Sequence, residues 1–278
     1  MHQFLNYILV QRRMKNKVCI VTPFHKDTLN EYERLSLESI YDTFPNNEKF
    51  LVTFKENDLN IKYFSNIFFD KNYFKSIKTY NQLCFNLDFY QKFIDFDYIL
   101  ICHLDVICLH SDYLKEIIDK NFSYIGAPAG KKNIFDRKRK KLWGRRFFCN
   151  GGFSLRKTID FINVLKSNKL SFPFNYYTIY ECMKSGFIRY LKLYLKTLNQ
   201  KDIDKAKFFT KNFYLHEDTF WTYFATIFYD KFKLPSINET NKFCFDGDPY
   251  FFFKKNNYQL PMALHGHYDY PDFLEKIK

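Results

Sequence analysis

The stretch Asp97-Tyr-Ile-Leu-Ile-Cys-His-Leu-Asp105 constrains the fold of this chain more than any other. Its short, unbroken apolar run is the pattern of a buried strand. The run ends in a polar pair, His103 and Asp105, that straddles Leu104. Alternate residues of a strand share a face, so the two side chains can point the same way. A carboxylate at the carboxyl edge of an α/β sheet stands where such sheets bind ligands. Fixed there, it can hold a divalent cation, which can clamp a diphosphate. Taken alone, the same residues also fit a strand that ends in a solvated Asp.

The elements around this strand set the fold class. Val18 to Thr22 is a β-branched run ending at Pro23, a first strand. Thr28-Leu-Asn-Glu31 has capping-box spacing and opens a helix to about Tyr41. Phe50–Phe54 and Asn66–Phe69 read as strands. Apolar side chains recur at Tyr80, Leu83, Cys84, Leu87, Tyr90 and Ile94, which predicts one helix with one buried face. Ser111–Asp119 reads as a short capped helix and Tyr124–Pro128 as a strand. Strands alternating with helices predict an α/β fold: a doubly wound, Rossmann-like, mostly parallel sheet flanked by helices. No repeat, low-complexity tract or linker divides the chain. The expectation is one domain over residues 17–278, with residues 1–16 as an N-terminal extension, because Met14 leads straight into the first strand. The N-terminus has no small-residue cleavage site, and no apolar run approaches a membrane span.

Composition narrows the partners. The chain of 278 residues is 46% hydrophobic and 21% aromatic, which argues against disorder. Its net charge of +13 asks for an anionic partner: nucleic acid, an anionic membrane or a phosphorylated substrate. No zinc-finger spacing or RNA-binding signature appears, so nucleic acid is not expected. Seven cysteines without a C-x-x-C read as buried, reduced thiols of a cytosolic protein. Two stretches interrupt the α/β pattern. Lys131–Arg146 carries nine basic residues against the single acid Asp136, and reads as a loop: either a solvated surface or a lid over an anionic ligand. Residues 170–212 read as a helical insertion. Within it Phe187, Tyr190, Leu191, Tyr194, Leu195 and Leu198 share one helical face, and Arg189, Lys192 and Lys196 another. That suits a surface helix packed on the core, or one lying on an anionic membrane.

Three further clusters carry chemistry. In Asn150-Gly-Gly-Phe-Ser-Leu-Arg156, the pair Gly151–Gly152 allows a close backbone approach or a tight turn. In His216-Glu-Asp-Thr-Phe-Trp221, Glu217 and Asp218 stand at a helix start, where an acid can cap the helix or serve as a general base. Leu264-His-Gly-His-Tyr268 brings two imidazoles, a frequent metal-ligand type.

The order of these motifs resembles that of GT-A-fold glycosyltransferases, and most closely a domain-of-unknown-function family related to them. The matching segments are His103-Leu-Asp105, Tyr124-Ile-Gly-Ala-Pro128, Asn150 to Arg156, Glu217-Asp-Thr-Phe-Trp221 and His265-Gly266, within about residues 17–270. The resemblance implies an enzyme that moves a sugar from a nucleotide-sugar donor to a glycan or lipid-linked acceptor, with Mn²⁺ or Mg²⁺. It implies Asp105 and His265 as metal ligands, Asp218 as catalytic base with Glu217 beside it, and Gly151 and Gly152 lining the pocket between donor and acceptor. Thr22 and Pro23 would sit near the nucleotide base. His103 replaces the first acid of the family's Asp-x-Asp step, which leaves open whether it binds the metal or the ribose. One positioned carboxylate suits inversion. The A/T-rich codons of the abundant Phe, Tyr, Lys, Asn and Ile suggest a bacterial source. The expected role is therefore bacterial surface polysaccharide synthesis in the cytoplasm, with peripheral attachment to the inner face of the plasma membrane. The replaced acid also keeps alive a non-catalytic sugar- or membrane-binding relative, and the charge a basic nucleic-acid binder.

Overall fold

The computed structural model describes residues 16–57, 59–128, 149–172, 186–201 and 204–277. Six strands form the main sheet: β1 (Val18–Pro23), β2 (Lys49–Thr53), β3 (Ser65–Phe68), β4 (Tyr98–Cys102), β6 (Tyr124–Pro128) and β7 (Cys149–Lys157), in the order β3-β2-β1-β4-β7-β6. β1 pairs in parallel with β2 and β4, and β2 with β3, whereas β7 runs antiparallel to both β4 and β6. The sheet is mostly parallel, as the sequence predicts. A second sheet joins β5 (Val106–Cys108), β9 (Ala263–His265) and β8 (Cys244–Asp246), in that order.

Helices cover both faces. They are α1 (Glu31–Thr43), α2 (Ile77–Cys84), α3 (Leu87–Gln91), α4 (Asp112–Asp119), α5 (Thr158–Leu165), α6 (Phe187–Leu198), α7 (Lys205–Lys211), α8 (Glu217–Tyr223), α9 (Ile237–Phe243), α10 (Pro249–Lys255) and α11 (Pro271–Ile277). Alternation along the central strands feeds two cores. Cys19, Val21, Ile99 and Ile101 face one, built largely from aromatic residues of α3, α5 and α8. Val18, Ile20, Leu100 and Cys102 face the other, with Ile40 of α1 and Ile117 of α4. A strand with core on both faces reads as a continuous apolar run, which is why β4 was legible.

Several local expectations change. The α1 cap is Asn30 rather than Thr28: Asn30 Oδ1 accepts from the Glu33 N–H, and Glu33 Oε2 accepts from the Asn30 N–H, each at 2.9 Å. The single helix expected over 80–94 is two. Asn86 accepts the Asp88 N–H at 2.8 Å and restarts the chain as α3, so Leu83, Cys84, Phe89 and Tyr90 are buried while Ile94 is exposed. His103 and Asp105 lie in the turn between β4 and β5, not on the strand itself. Gly151 and Gly152 lie inside β7, where its register against β6 jumps from Gly126↔Ser154 to Ala127↔Asn150. Glycine is at home in such a bulge. The basic stretch Lys131–Arg146, the extension before residue 16 and much of the helical insertion lie outside the described residues.

Candidate active site

β4 delivers the chain to the carboxyl edge of the sheet, and the turn that follows presents His103 and Asp105. His265 arrives from the far end of the chain because β9 pairs with β5, opposing His265 to Val106. The Gly266 N–H donates to the Asp105 carbonyl at 2.8 Å and closes this junction. One ligand-type atom from each of His103, Asp105 and His265 falls within 4.8 Å of the others. His265 Nε2 stands 3.3 Å from Asp105 Oδ2, and Asp105 Oδ1 is buried without a hydrogen-bond partner. His103 Nε2 is 2.9 Å from the Tyr80 hydroxyl, and its backbone N–H donates to the Gly152 carbonyl at 2.8 Å. Burial pushes the His103 imidazole down to about 4, so it is neutral. Burial also works against charge on His265, but Asp246 and the Asp105 charge outweigh it and hold that imidazole above its usual range.

Two members of the cluster, His103 and Asp105, line a cleft of 840 Å³ between the end of β1, the start of α1 and the start of α2, and His265 is outside that lining. Pro23, Phe24 and His25 supply one wall, Tyr32 and Tyr268 the mouth, and Ser76, Ile77 and Tyr80 the far side. Lys26, also in the wall, donates to Glu33. Thr22 does not join this wall. It is fully buried, one residue short of the strand end, whereas Pro23 and its neighbours line the cleft.

Glu217 and Asp218 open α8, as predicted, but their surroundings differ. Arg156 of β7 is fully buried and donates to Glu217 Oε1 at 2.8 Å, to the Tyr90 hydroxyl at 3.0 Å and to Ser154 Oγ at 3.1 Å. Burial works against the guanidinium charge, and the Glu217 carboxylate more than offsets it. Asp218 is half-buried and accepts its own neighbour's N–H, from Thr219, at 2.6 Å. Burial, aided by the Glu217 charge, pushes its carboxyl up to about 7. A carboxylic acid titrating near neutrality is suited to exchanging a proton with a hydroxyl.

The two glycines leave room for Glu217 and His265. A Cβ on Gly151 would lie 2.3 Å from Glu217 Oε1, and one on Gly152 2.4 Å from His265 Nε2. Sequence reading missed Asp246, whose Oδ1 is 2.9 Å from His265 Nδ1, and gave Tyr80 and Arg156 no role at the site. Asp246 had a visible signal, an apolar run (Phe243-Cys-Phe245) ending in an acid, the same pattern that singled out Asp105.

Fold and site together define an α/β protein with a His–Asp–His cluster on the carboxyl edge of its sheet, beside a deep cleft. The chain belongs to the family described as "Protein of unknown function (DUF5672)", whose profile matches residues 63–265. Nothing among curated proteins matches the chain. Among solved structures, the galactosyltransferase LgtC in complex with donor and acceptor sugar analogues is similar at 13% identity, over 88% of this chain and 86% of that one, with a TM-score of 0.44. Mouse xyloside xylosyltransferase 1 in its apo form is similar at 12% identity, over 90% of this chain and 97% of that one, with a TM-score of 0.48. Likeness at this level carries nothing about chemistry.

Proposed function

We propose that this protein transfers a sugar from a nucleotide-sugar donor to a hydroxyl of a glycan or lipid-linked acceptor, with inversion and with the help of a divalent cation. The observation that carries the proposal is the His103–Asp105–His265 cluster at the cleft, with the Asp105 Oδ1 buried and unpartnered. Two imidazoles and a carboxylate fit a cation that accepts mixed nitrogen and oxygen donors, so Mn²⁺ suits this set better than Mg²⁺. Such a cation, when bound, supplies charge neutralisation for a departing diphosphate.

The remaining steps belong to the chain's own residues. The aromatic and apolar wall formed by Phe24, Tyr32, Phe74 and Ile77 suits the base and ribose of a nucleotide. Asp218 takes the proton from the acceptor hydroxyl as that oxygen attacks the anomeric carbon. Glu217 is engaged by Arg156, which leaves one carboxylate for proton transfer and favours single displacement. The sequence resemblance to GT-A glycosyltransferases supports the same assignment, and with it a role in bacterial surface polysaccharide synthesis.

Attachment to the inner face of the plasma membrane is part of the proposal. No helix among the described residues is long and apolar enough to cross a membrane. α6 buries Tyr190, Leu193, Tyr194 and Thr197, so of the apolar face expected from sequence only Tyr190 and Tyr194 belong to the core. Ile188, Leu195 and Leu198 remain exposed, beside the exposed Arg189, Lys192 and Lys196. Each basic residue near an anionic surface adds about 1 kcal/mol of binding. Lys192→Glu/Lys196→Glu should weaken co-sedimentation with phosphatidylserine vesicles, and equal sedimentation with neutral vesicles would remove the membrane from the reading.

The test of the central proposal is a panel of nucleotide sugars screened for Mn²⁺-dependent thermal stabilisation, since a ligand of the native state raises its melting temperature. One donor should stabilise the wild type, and Asp105→Ala should lose that response while melting normally without ligand. Stabilisation of Asp105→Ala equal to that of the wild type would sink the metal role.

A further inference from the structure

We infer that Asp246 is a positioning residue: its carboxylate fixes the tautomer and the angle of His265, so that the imidazole offers the Nε2 lone pair to a cation shared with Asp105. The inference rests on the cation reading above and gives a function to a residue outside it. β8 and β9 run parallel in a register that sets Asp246 directly beside His265. Asp246 Oδ1 then meets His265 Nδ1 at 2.9 Å. In a neutral imidazole one nitrogen carries the proton and the other a lone pair. A carboxylate at Nδ1 selects the Nδ1–H form and frees Nε2, the atom that stands 3.3 Å from Asp105 Oδ2.

Asp246 is itself held. Asn150 Nδ2 donates to Asp246 Oδ2 at 3.3 Å, and Asn150 Oδ1 accepts the Gly152 N–H at 2.7 Å. A continuous chain of polar contacts therefore runs from the β7 bulge, through Asn150 and Asp246, to His265 and Asp105. Gly152 completes the seat. Its missing side chain leaves room for Nε2, which a Cβ would approach to 2.4 Å. The Gly152 carbonyl accepts the His103 N–H at 2.8 Å, so both histidines of the cluster are tied to one bulged residue. The β7 bulge thus serves the angle of the ligands as well as the shape of the sheet. A carboxylate that merely tied β8 to β7 would need only the Asn150 contact, and Asp246 uses its other oxygen on the imidazole.

Two measurements test this. Long-range ¹⁵N–¹H NMR of the metal-free wild type, recorded where His265 is neutral, should find the proton on Nδ1. Calorimetric titration with Mn²⁺ should show binding by the wild type and a loss of about 10–100-fold in Asp246→Ala, with Asp246→Asn in between because its amide oxygen can still accept. Circular dichroism and melting of each variant separate this loss from unfolding. A folded Asp246→Ala protein that binds Mn²⁺ like the wild type overturns the inference, and so does a wild-type His265 protonated on Nε2. If Asp246→Ala does not fold, Asp246→Asn answers in its place, and wild-type affinity in that variant is then the overturning result. Absence of Mn²⁺ binding by the wild type would instead defeat the cation reading, and the tautomer alone would decide the role of Asp246.

Discussion

Two charged regions meet at the glycine pair of β7, and they differ in what they leave free. On the Gly151 side Arg156 and Glu217 are buried against one another at 2.8 Å, with side chains 0% and 6% exposed. On the Gly152 side His103 and Asp105 border an open cleft with His265 beside Asp105, and Asp105 keeps 32% of its side chain exposed. Successive residues of a strand face opposite ways, so one dipeptide serves both regions. In the sealed pair Arg156 and Glu217 Oε1 are committed to each other, and Glu217 Oε2 is buried without a hydrogen-bond partner. The open cluster holds two histidines and a carboxylate at close quarters, with Asp105 Oδ1 buried and unpartnered. Charge of the first kind organises a structure, and charge of the second kind is available to a ligand. Glu217 and Asp218 make the contrast at single-residue scale: adjacent in sequence, one is paired with Arg156 and the other stays free of that ion pair.

The largest effect should come from the free member of that pair. Asp218→Asn is expected to lower kcat by about 10²–10⁴-fold while donor affinity stays near wild type, because a general base acts on the acceptor proton rather than on the diphosphate. Steady-state kinetics beside a donor-binding isotherm separate the two. A kcat unchanged in this variant, with turnover lost in Glu217→Gln, would exchange the roles assigned here.

The sealed pair should answer in stability instead. Glu217→Gln strands the Arg156 charge in the core, at a cost of about 3–5 kcal/mol. Guanidinium unfolding measures it, and a variant as stable as the wild type would show that the pair is not the strut described above.

The smallest expected effect is a pH dependence. Burial raises the Asp218 carboxyl to about 7 in the folded protein, above its value of about 4 in the unfolded chain. Between those values the unfolded chain has released a proton that the folded protein retains. The contribution of Asp218 to stability therefore falls as pH rises through this window and levels off above it. Asp218→Asn lacks that loss, so in metal-free buffer it should gain on the wild type between pH 4 and pH 7, on the order of 1–3 kcal/mol. Calorimetry across that range decides, and a constant difference would mean that Asp218 titrates normally.

Much of the scaffold was legible because it rests on local rules. β1, β2, β3 and β6 lie within a residue of where apolar runs and turn residues put them, and β4 ends three residues before Asp105. Asp105, Asp218 and His265 were visible as polar punctuation near element ends, and Gly151 and Gly152 as a glycine pair that the structure puts inside β7. Less legible were features set by competition between near neighbours. Asn30 won the α1 cap from Thr28, and Asn86 split one amphipathic pattern into two helices. α6 was legible as a helix but not in its burial: of the predicted apolar stripe only Tyr190 and Tyr194 are buried, and packing turns Leu193 and Thr197 inward beside them.

The sequence by itself therefore determined the alternation of strands and helices, the acid at the end of β4 and the two acids at the start of α8. These follow from side-chain periodicity and backbone preference within a few residues. Only the tertiary structure decided that His103 and Asp105 meet His265, that Asp246 grips that imidazole, and that Arg156 takes Glu217 and leaves Asp218. Each of these depends on a strand register or a burial contact between segments far apart in the chain. No local propensity encodes which of two adjacent carboxylates a distant guanidinium will reach.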